Sequence, residues 1–384
     1  MPFRYLEKRG EIFKDLPTPA YIIDEDALLA NGEILKALRE KTGCKILLAQ
    51  KAFSNYAFYP LLSKYLDGTE ASGLYEARLG KEEMGEHEVH VFCGAYREEE
   101  FDELLTYADH LVFNSPTQLT RFGARAKAQH KSIGLRINPE YSTQSAHAIY
   151  DPCAPGSRLG TTFEVFSQMD EETFNLLDGL HFHTLCEQNS DDLVKTWQAF
   201  ENRFSPYLHQ LKWLNMGGGH HITRDDYDRE TLERLITYIQ ETYDLQVYLE
   251  PGEAIALNAG YLITRVLDLV DNHDMKIAIL DTSAACHMPD VIEMPYRPPL
   301  LQEASGYPYR LGSQTCLAGD IIGDYSFDHP LKIGEILVFG DMAIYTTCKN
   351  NTFNGMPLPA IYRLQGSDLS LWKNFTYEDF KSRL

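Results

Sequence analysis

No stretch of this 384-residue sequence approaches the roughly 18 consecutive apolar residues that a membrane-spanning helix needs, so no membrane span is expected. The amino terminus, MPFRYLEKRGEIF, has neither a long apolar segment nor a small-residue cleavage site, and no secretory signal is expected there. Cysteine offers no framework. Cys44, Cys93, Cys153, Cys186, Cys286, Cys316 and Cys348 are odd in number and form no CxxC pair, so reduced thiols in a cytoplasmic protein are the expectation. Low-complexity segments and long linkers are also lacking. Basic residues are few: 35 Lys and Arg face 56 Asp and Glu, for a net charge of -21. Such a surface repels nucleic acid and anionic membranes and attracts polycations, although on its own it serves chiefly to keep a protein in solution.

What is present is a regular alternation. Eight short apolar runs end in polar or glycine residues: Lys45–Lys51, Gly68–Ser72, Glu88–Gly94, His110–Asn114, Ser132–Asn138, Gly179–Thr184, Lys212–Gly217 and Gln246–Glu250. Stretches with helical apolar spacing, such as Tyr75–Gly85 and Asp191–Leu211, lie between them. Eight strand–helix units predict a closed parallel α/β barrel, with a doubly wound open sheet as the alternative should the short Gly68–Ser72 run fail. After Pro251 the pattern changes. Tyr261–Val270, Met275–Leu280, Gly334–Phe339 and Ala343–Thr347 read as strands with little helix between them. The expectation is a barrel over residues 21–255 and a β-rich domain over 256–384 together with 1–20, with Pro19–Ile23 a candidate to pair with that second domain.

In a barrel of this kind, chemistry gathers at the carboxyl ends of the strands. Those ends carry Lys51, Ser72, Arg136, His183, Gly217–Gly219 and Glu250. Lys51 ends an apolar strand, so partial desolvation of its amine is expected, although a lysine there is more often a solvated surface residue. Three successive glycines allow a close backbone approach to an anion, or simply a tight turn. Glu250 is placed to hold a heterocyclic nitrogen protonated, or to make a structural ion pair. His181 and His183 share one face of their strand. They suit either a metal or, for His183, stacking on a flat cofactor. No aspartate or third histidine at a matching strand end completes a metal set, although His220 and His221 keep that reading open. Cys316, in QTCLAGD, is a thiol able to carry a proton, or inert packing.

Taken in order along the chain, LLAQKAFS (47–54), EASGLYEARLG (70–80), LRINP (135–139), HFHTLCE (181–187), NMGGG (215–219), EPGEA (250–254), CLAGD (316–320) and IYTTCKNNTFNG (344–355) resemble the fold-type III pyridoxal-phosphate decarboxylases. That group includes the ornithine, arginine and diaminopimelate enzymes and, more distantly, alanine racemase. With DTSAACHMPDVIEMPYRP (281–298), the resemblance is strongest to the branch that acts on carboxynorspermidine and carboxyspermidine. It implies pyridoxal 5′-phosphate joined to Lys51, with His183 stacked on its ring and Glu250 paired with its ring nitrogen. Ser72 joins the cofactor set, and Gly218, Gly219 and Tyr345 hold the phosphate. Cys316 reaches the site from the second subunit of a homodimer and returns a proton to the α-carbon. The sequence departs from ornithine-type enzymes at Glu253, Cys186 and Leu317, where those enzymes have arginine, serine and an acidic residue. Recognition of the substrate's distal amines then falls to other acids, with Glu253 and Asp290 as candidates for a carboxylated polyamine.

Overall fold

The computed structural model describes residues 3, 4, 6, 12–144 and 151–384. Residues 1, 2, 5 and 7–11 of the segment assigned with the second domain lie outside the described residues. By compactness the chain divides into two units, one of Met1–Ala30, Ala52–Ser54 and Ala256–Leu384, the other of Asn31–Lys51 and Asn55–Ile255.

The second of these units is the barrel. In chain order after β1 (Ala20–Asp24), which belongs to the sheet described below, its strands are β2 (Lys45–Ala49), β3 (Gly68–Ala71), β4 (Glu88–Phe92), β5 (His110–Phe113), β6 (Ser132–Arg136), β7 (Gly179–His181), β8 (Trp213–Asn215) and β9 (Gln246–Leu249). They pair in sequence order and close, β2 to β9, so the open-sheet alternative falls. The strands are parallel and covered on both faces, which is why they read as continuous apolar runs rather than as alternations. The short β3 is buried at every position. Helices between the strands begin where polar side chains take up orphan amides. Ser115 accepts from the Gln118 amide at 3.3 Å ahead of Pro116–Ala128, and Asp228 from the Thr231 amide at 3.0 Å ahead of Arg229–Tyr243. In helix Ser190–Leu208, Leu193, Trp197, Phe200, Phe204 and Leu208 form the buried stripe that a 3.6-residue period dictates.

The other unit is built on β1, β10 (Gly260–Asn272), β11 (Met275–Leu280), β12 (Tyr307–Ser313), β13 (Ile321–Phe327), β14 (Ile336–Gly340), β15 (Ala360–Gln365) and β16 (Asp368–Lys373). The strand order is β13-β12-β11-β10-β1-β15-β16, with β14 paired to β10. Most pairings are antiparallel; β1–β15 and β11–β12 are parallel. The candidate segment Pro19–Ile23 thus enters this sheet from Ala20 onward, as β1 beside β10. Ile22, Tyr261, Ile263, Val338 and Leu364 supply much of its core. One expected strand is corrected. Ala343–Thr347 is a series of bends and turns, because Asp341 and Tyr345 sit at φ 57° and 47°, in the left-handed region that no strand can contain.

Candidate active site

The carboxyl ends of the barrel strands surround a cavity of about 320 Å³, within the range of small-molecule sites. Lys51, Glu70, Ser72, Arg136, His183 and Glu250 line it, together with Phe92, Arg158 and His181.

Glu250 follows β9 and is buried. Its Oε2 accepts from His181 Nε2 at 3.0 Å and its Oε1 from Asn215 Nδ2 at 2.5 Å, so one donor from β7 and one from β8 hold the two oxygens. Burial pushes this carboxyl up, but the His181 and Asn215 contacts outweigh it, and the net shift is downward: Glu250 is an anion. His181 is buried, and burial lowers its pKa, so a neutral ring donating its Nε2–H accounts for the contact. Glu70, at the third position of β3, goes the opposite way. Burial first, and then the charge of Glu250, raise its pKa well above the ordinary carboxylate value. Two carboxyl groups of one cavity are therefore pushed in opposite directions, Glu70 toward the protonated form and Glu250 toward the ionised one.

His183 accepts the Gly218 amide N–H on Nδ1 at 2.9 Å. Its recessed position, with the Lys51 and Arg136 charges nearby, keeps its ring neutral. The Arg136 guanidinium lies over the Phe92 ring at 4.5 Å and donates to the His183 carbonyl at 3.4 Å. Burial lowers its pKa to about 10, so it stays cationic at neutral pH. Phe92 in turn stacks on His181, with ring centroids 5.6 Å apart.

Lys51 lines the cavity, and the residue as a whole is exposed. β2 ends at Ala49, and the anchoring passes to the buried Gln50, which donates to the Glu76 carbonyl at 2.8 Å and accepts from Tyr59 Oη at 3.0 Å. The lysine beyond it is carried out to the mouth. Ser72 is exposed there, with its amide donating to Glu76 Oε2 at 2.6 Å. The glycine run is required by its surroundings. Gly217 and Gly219 have φ of 70° and 80°, and a Cβ on Gly218 or Gly219 would stand 2.3 Å from the Glu250 carbonyl or 2.0 Å from that of Leu185. The tight-turn reading therefore holds whatever the run binds.

The remaining candidates lie elsewhere. Glu253 opens a short helix, Glu253–Ala256, and its Oε2 is 3.3 Å from His221 Nε2; it does not line the cavity. Asp290 is in the sheet unit, paired with Lys349, which also holds Glu293. Cys316 is exposed between β12 and β13, its amide donating to Asn354 Oδ1 at 2.9 Å. Tyr345, in its left-handed conformation, donates its amide to the Ala52 carbonyl at 2.9 Å. Among the described residues, His181, His183, His220 and His221 do not form a convergent set of metal ligands, and Nε2 of His181 and Nδ1 of His183 are engaged with Glu250 and Gly218. Among the described residues, convergent ligand atoms occur instead at Glu88, His90 and His110, toward the amino ends of β4 and β5, where Lys45 already pairs with Glu88 and the two rings stack 3.9 Å apart. Sequence reasoning missed Glu70, Asn215, Arg158 and the part of His181 as partner to Glu250. A period-two reading of β3 puts Glu70 on the face of Ser72, and that signal was available.

The closed barrel, the antiparallel-rich sheet and the cavity with its buried anionic glutamate define an enzyme class. Residues 20–343 match the family model described as pyridoxal-dependent decarboxylase, C-terminal sheet domain, and the chain belongs to that family of decarboxylases. The chain is 41% identical to the carboxynorspermidine/carboxyspermidine decarboxylase of Campylobacter jejuni, over 97% of its own length and 99% of the relative's. It is 40% identical to the carboxyaminopropylagmatine decarboxylase of Synechocystis, over 96% of each. The fold superposes with a TM-score of 0.88 on the crystal structure of carboxynorspermidine decarboxylase complexed with norspermidine from Campylobacter jejuni, at 40% identity, covering 96% of this chain and all 100% of that one. The residues present fit a pyridoxal coenzyme. An amine stands at the mouth, a doubly held carboxylate is buried in the wall, and at Gly218 an added Cβ would come within 3.4 Å of His183 Cε1.

Proposed function

We propose that the chain removes the α-carboxylate of carboxynorspermidine or carboxyspermidine with pyridoxal 5′-phosphate, yielding norspermidine or spermidine. The observation that carries this reading is the buried Glu250 anion, with a donor on each oxygen, in the wall of the cavity that Lys51 lines. When bound, the coenzyme supplies an electron sink for the pair left behind as carbon dioxide departs. Lys51 supplies the amine for its aldehyde. Glu250 accepts the N–H of its ring nitrogen and keeps that nitrogen cationic. His183, neutral and fixed through Gly218, offers a flat face to the ring. The phosphate falls to Gly218, Gly219 and Tyr345, and Ser72 joins the residues around the coenzyme. Cys316, exposed on the sheet unit, returns a proton to the α-carbon in the cavity of a second copy within a homodimer. Glu253 takes a distal ammonium group of the substrate, as does Asp290 once Lys349 yields it.

A second substrate reading has its own support: the 40% identity to the carboxyaminopropylagmatine enzyme is close to the 41% of the carboxynorspermidine/carboxyspermidine one. A side-by-side assay separates them. Purified holoenzyme is given carboxynorspermidine, carboxyspermidine, carboxyaminopropylagmatine, ornithine and diaminopimelate, and carbon dioxide and amine products are measured. The carboxylated triamines should be turned over at the highest kcat/KM, and Lys51→Ala should lose both turnover and the coenzyme's visible absorbance. Preference for ornithine or diaminopimelate would overturn the substrate, and a fully active Lys51→Ala would overturn the chemistry.

A further inference from the structure

The arrangement around Glu250 goes beyond what the cavity needs in order to bind a coenzyme. A carboxylate that must hold a ring nitrogen protonated has two ways to fail: it can pick up a proton itself, or it can turn away. Both are blocked by two neighbours, His181 in the cavity wall and Asn215 outside the cavity lining. Asn215, the last residue of β8, is fully buried; its Nδ2 donates to Glu250 Oε1 and its Oδ1 accepts the Gly217 amide at 2.8 Å. That second contact fixes which way the amide faces, so the N–H side can only meet the carboxylate. His181, the last residue of β7, donates Nε2–H to the other oxygen, and Phe92 stacks against its ring. The strand pairing sets both in place, since His181 lies opposite Asn215, and Asn215 opposite Tyr248, two residues before Glu250.

We infer that Asn215 and His181 are positioning residues that keep Glu250 ionised and aimed, and through it set the protonation of the coenzyme's ring nitrogen. This inference rests on the pyridoxal reading above. A buried charge-assisted hydrogen bond favours the ionised form of its acceptor, so each donor lost raises the Glu250 pKa. Lower pH is then no longer needed to neutralise the carboxylate, and the ring nitrogen loses its counter-ion at a higher pH than before. The other titratable groups facing Glu250 are Glu70 on β3, His90 on β4, Arg136 on β6 and His220 beyond β8, with Lys51 at the mouth. They are the same in wild type and in the alanine variants, so a difference between those reports the removed donor, whereas Asn215→Asp adds a carboxylate beside Glu250 as well.

The test compares holoenzyme with Asn215→Ala, Asn215→Asp, His181→Ala and His181→Gln. Coenzyme content, kcat, KM and the pH titration of the coenzyme's visible absorbance are measured for each. Asn215→Ala and His181→Ala should lower kcat about 10- to 100-fold with little change in KM, and should move the acid midpoint of the absorbance titration up by about one pH unit. His181→Gln keeps an N–H donor and should recover most of both. Asn215→Asp keeps the shape but replaces the donor with an acceptor, and should shift the midpoint at least as far as alanine. The inference is overturned if Asn215→Asp titrates like wild type, or if the loss of activity in every variant merely tracks lost coenzyme while the midpoint stays put. The absorbance readout needs no substrate. Failure of wild type on the whole substrate panel would therefore sink the polyamine reading and leave this one standing.

Discussion

Glu70 and Glu250 show how little separates a binding group from an acid at the level of single residues. Both are buried carboxyls lining one cavity, yet only Glu250 has a donor on each oxygen from β7 and β8. Burial and the Glu250 charge raise the Glu70 pKa well above the ordinary carboxylate value. That shift has a consequence for stability. In the unfolded chain a glutamate ionises near its ordinary value of about 4.3. Because the folded pKa is raised, the fold binds the proton more tightly. Its contribution is complete below the unfolded value and is lost as pH rises through the folded one. Glu70→Gln keeps the neutral shape and removes the titration. The variant should have a higher thermal midpoint than wild type at pH 8, and the difference should vanish near pH 4. Equal midpoints at both pH values would show that the folded protein holds Glu70 ionised against a partner cation.

At the scale of elements, the turn from β8 shows what legibility in a sequence consists of. NMGGG was readable either as an anion cradle or as a tight turn, because glycine permits both. Only the neighbouring backbone separates them, and no sequence pattern encodes it. Gly219 is the sharpest case, since a Cβ there meets the Leu185 carbonyl at 2.0 Å and the residue sits at φ 80°. Gly219→Ala should destabilise the barrel by about 1–3 kcal/mol. Gly43 is the control: its φ of 71° is similar but nothing lies within 4 Å of its added Cβ, so Gly43→Ala should cost only about 1 kcal/mol of backbone strain. Chemical denaturation of both variants checks the order, and equal losses would assign the Gly219 effect to φ alone. The eight barrel strands were legible because each is buried on both faces. The sheet was less so: β16 is exposed at four of its six positions, and β13 is interrupted by Gly323 and the exposed Asp324, so neither reads as a continuous apolar run. Ala343–Thr347 misled for the converse reason, being an apolar run whose backbone turns at Tyr345. Asn215 was invisible because it acts only across strands, on a glutamate 35 positions later.

At the scale of the whole molecule, the two groups assigned to opposite ends of the reaction sit in different units of the chain. Lys51 ends a segment of the barrel, and Cys316 stands exposed on a loop of the sheet unit. The proposed homodimer gives this division a use, with each cavity completed by the cysteine of the other copy. Such an arrangement can be tested without knowing the geometry of the interface. Lys51→Ala and Cys316→Ala are each expected to lack the decarboxylation product. When they are mixed in equal amounts and allowed to exchange subunits, half of the dimers pair one copy of each. In such a dimer both lesions fall in one cavity and the other cavity is intact. The mixture should recover about one quarter of wild-type activity, with a two-fold symmetric dimer as the unit of exchange. If each cysteine instead served the cavity of its own chain, every cavity in the mixed dimer would carry one lesion, and the mixture would stay as inactive as its parents.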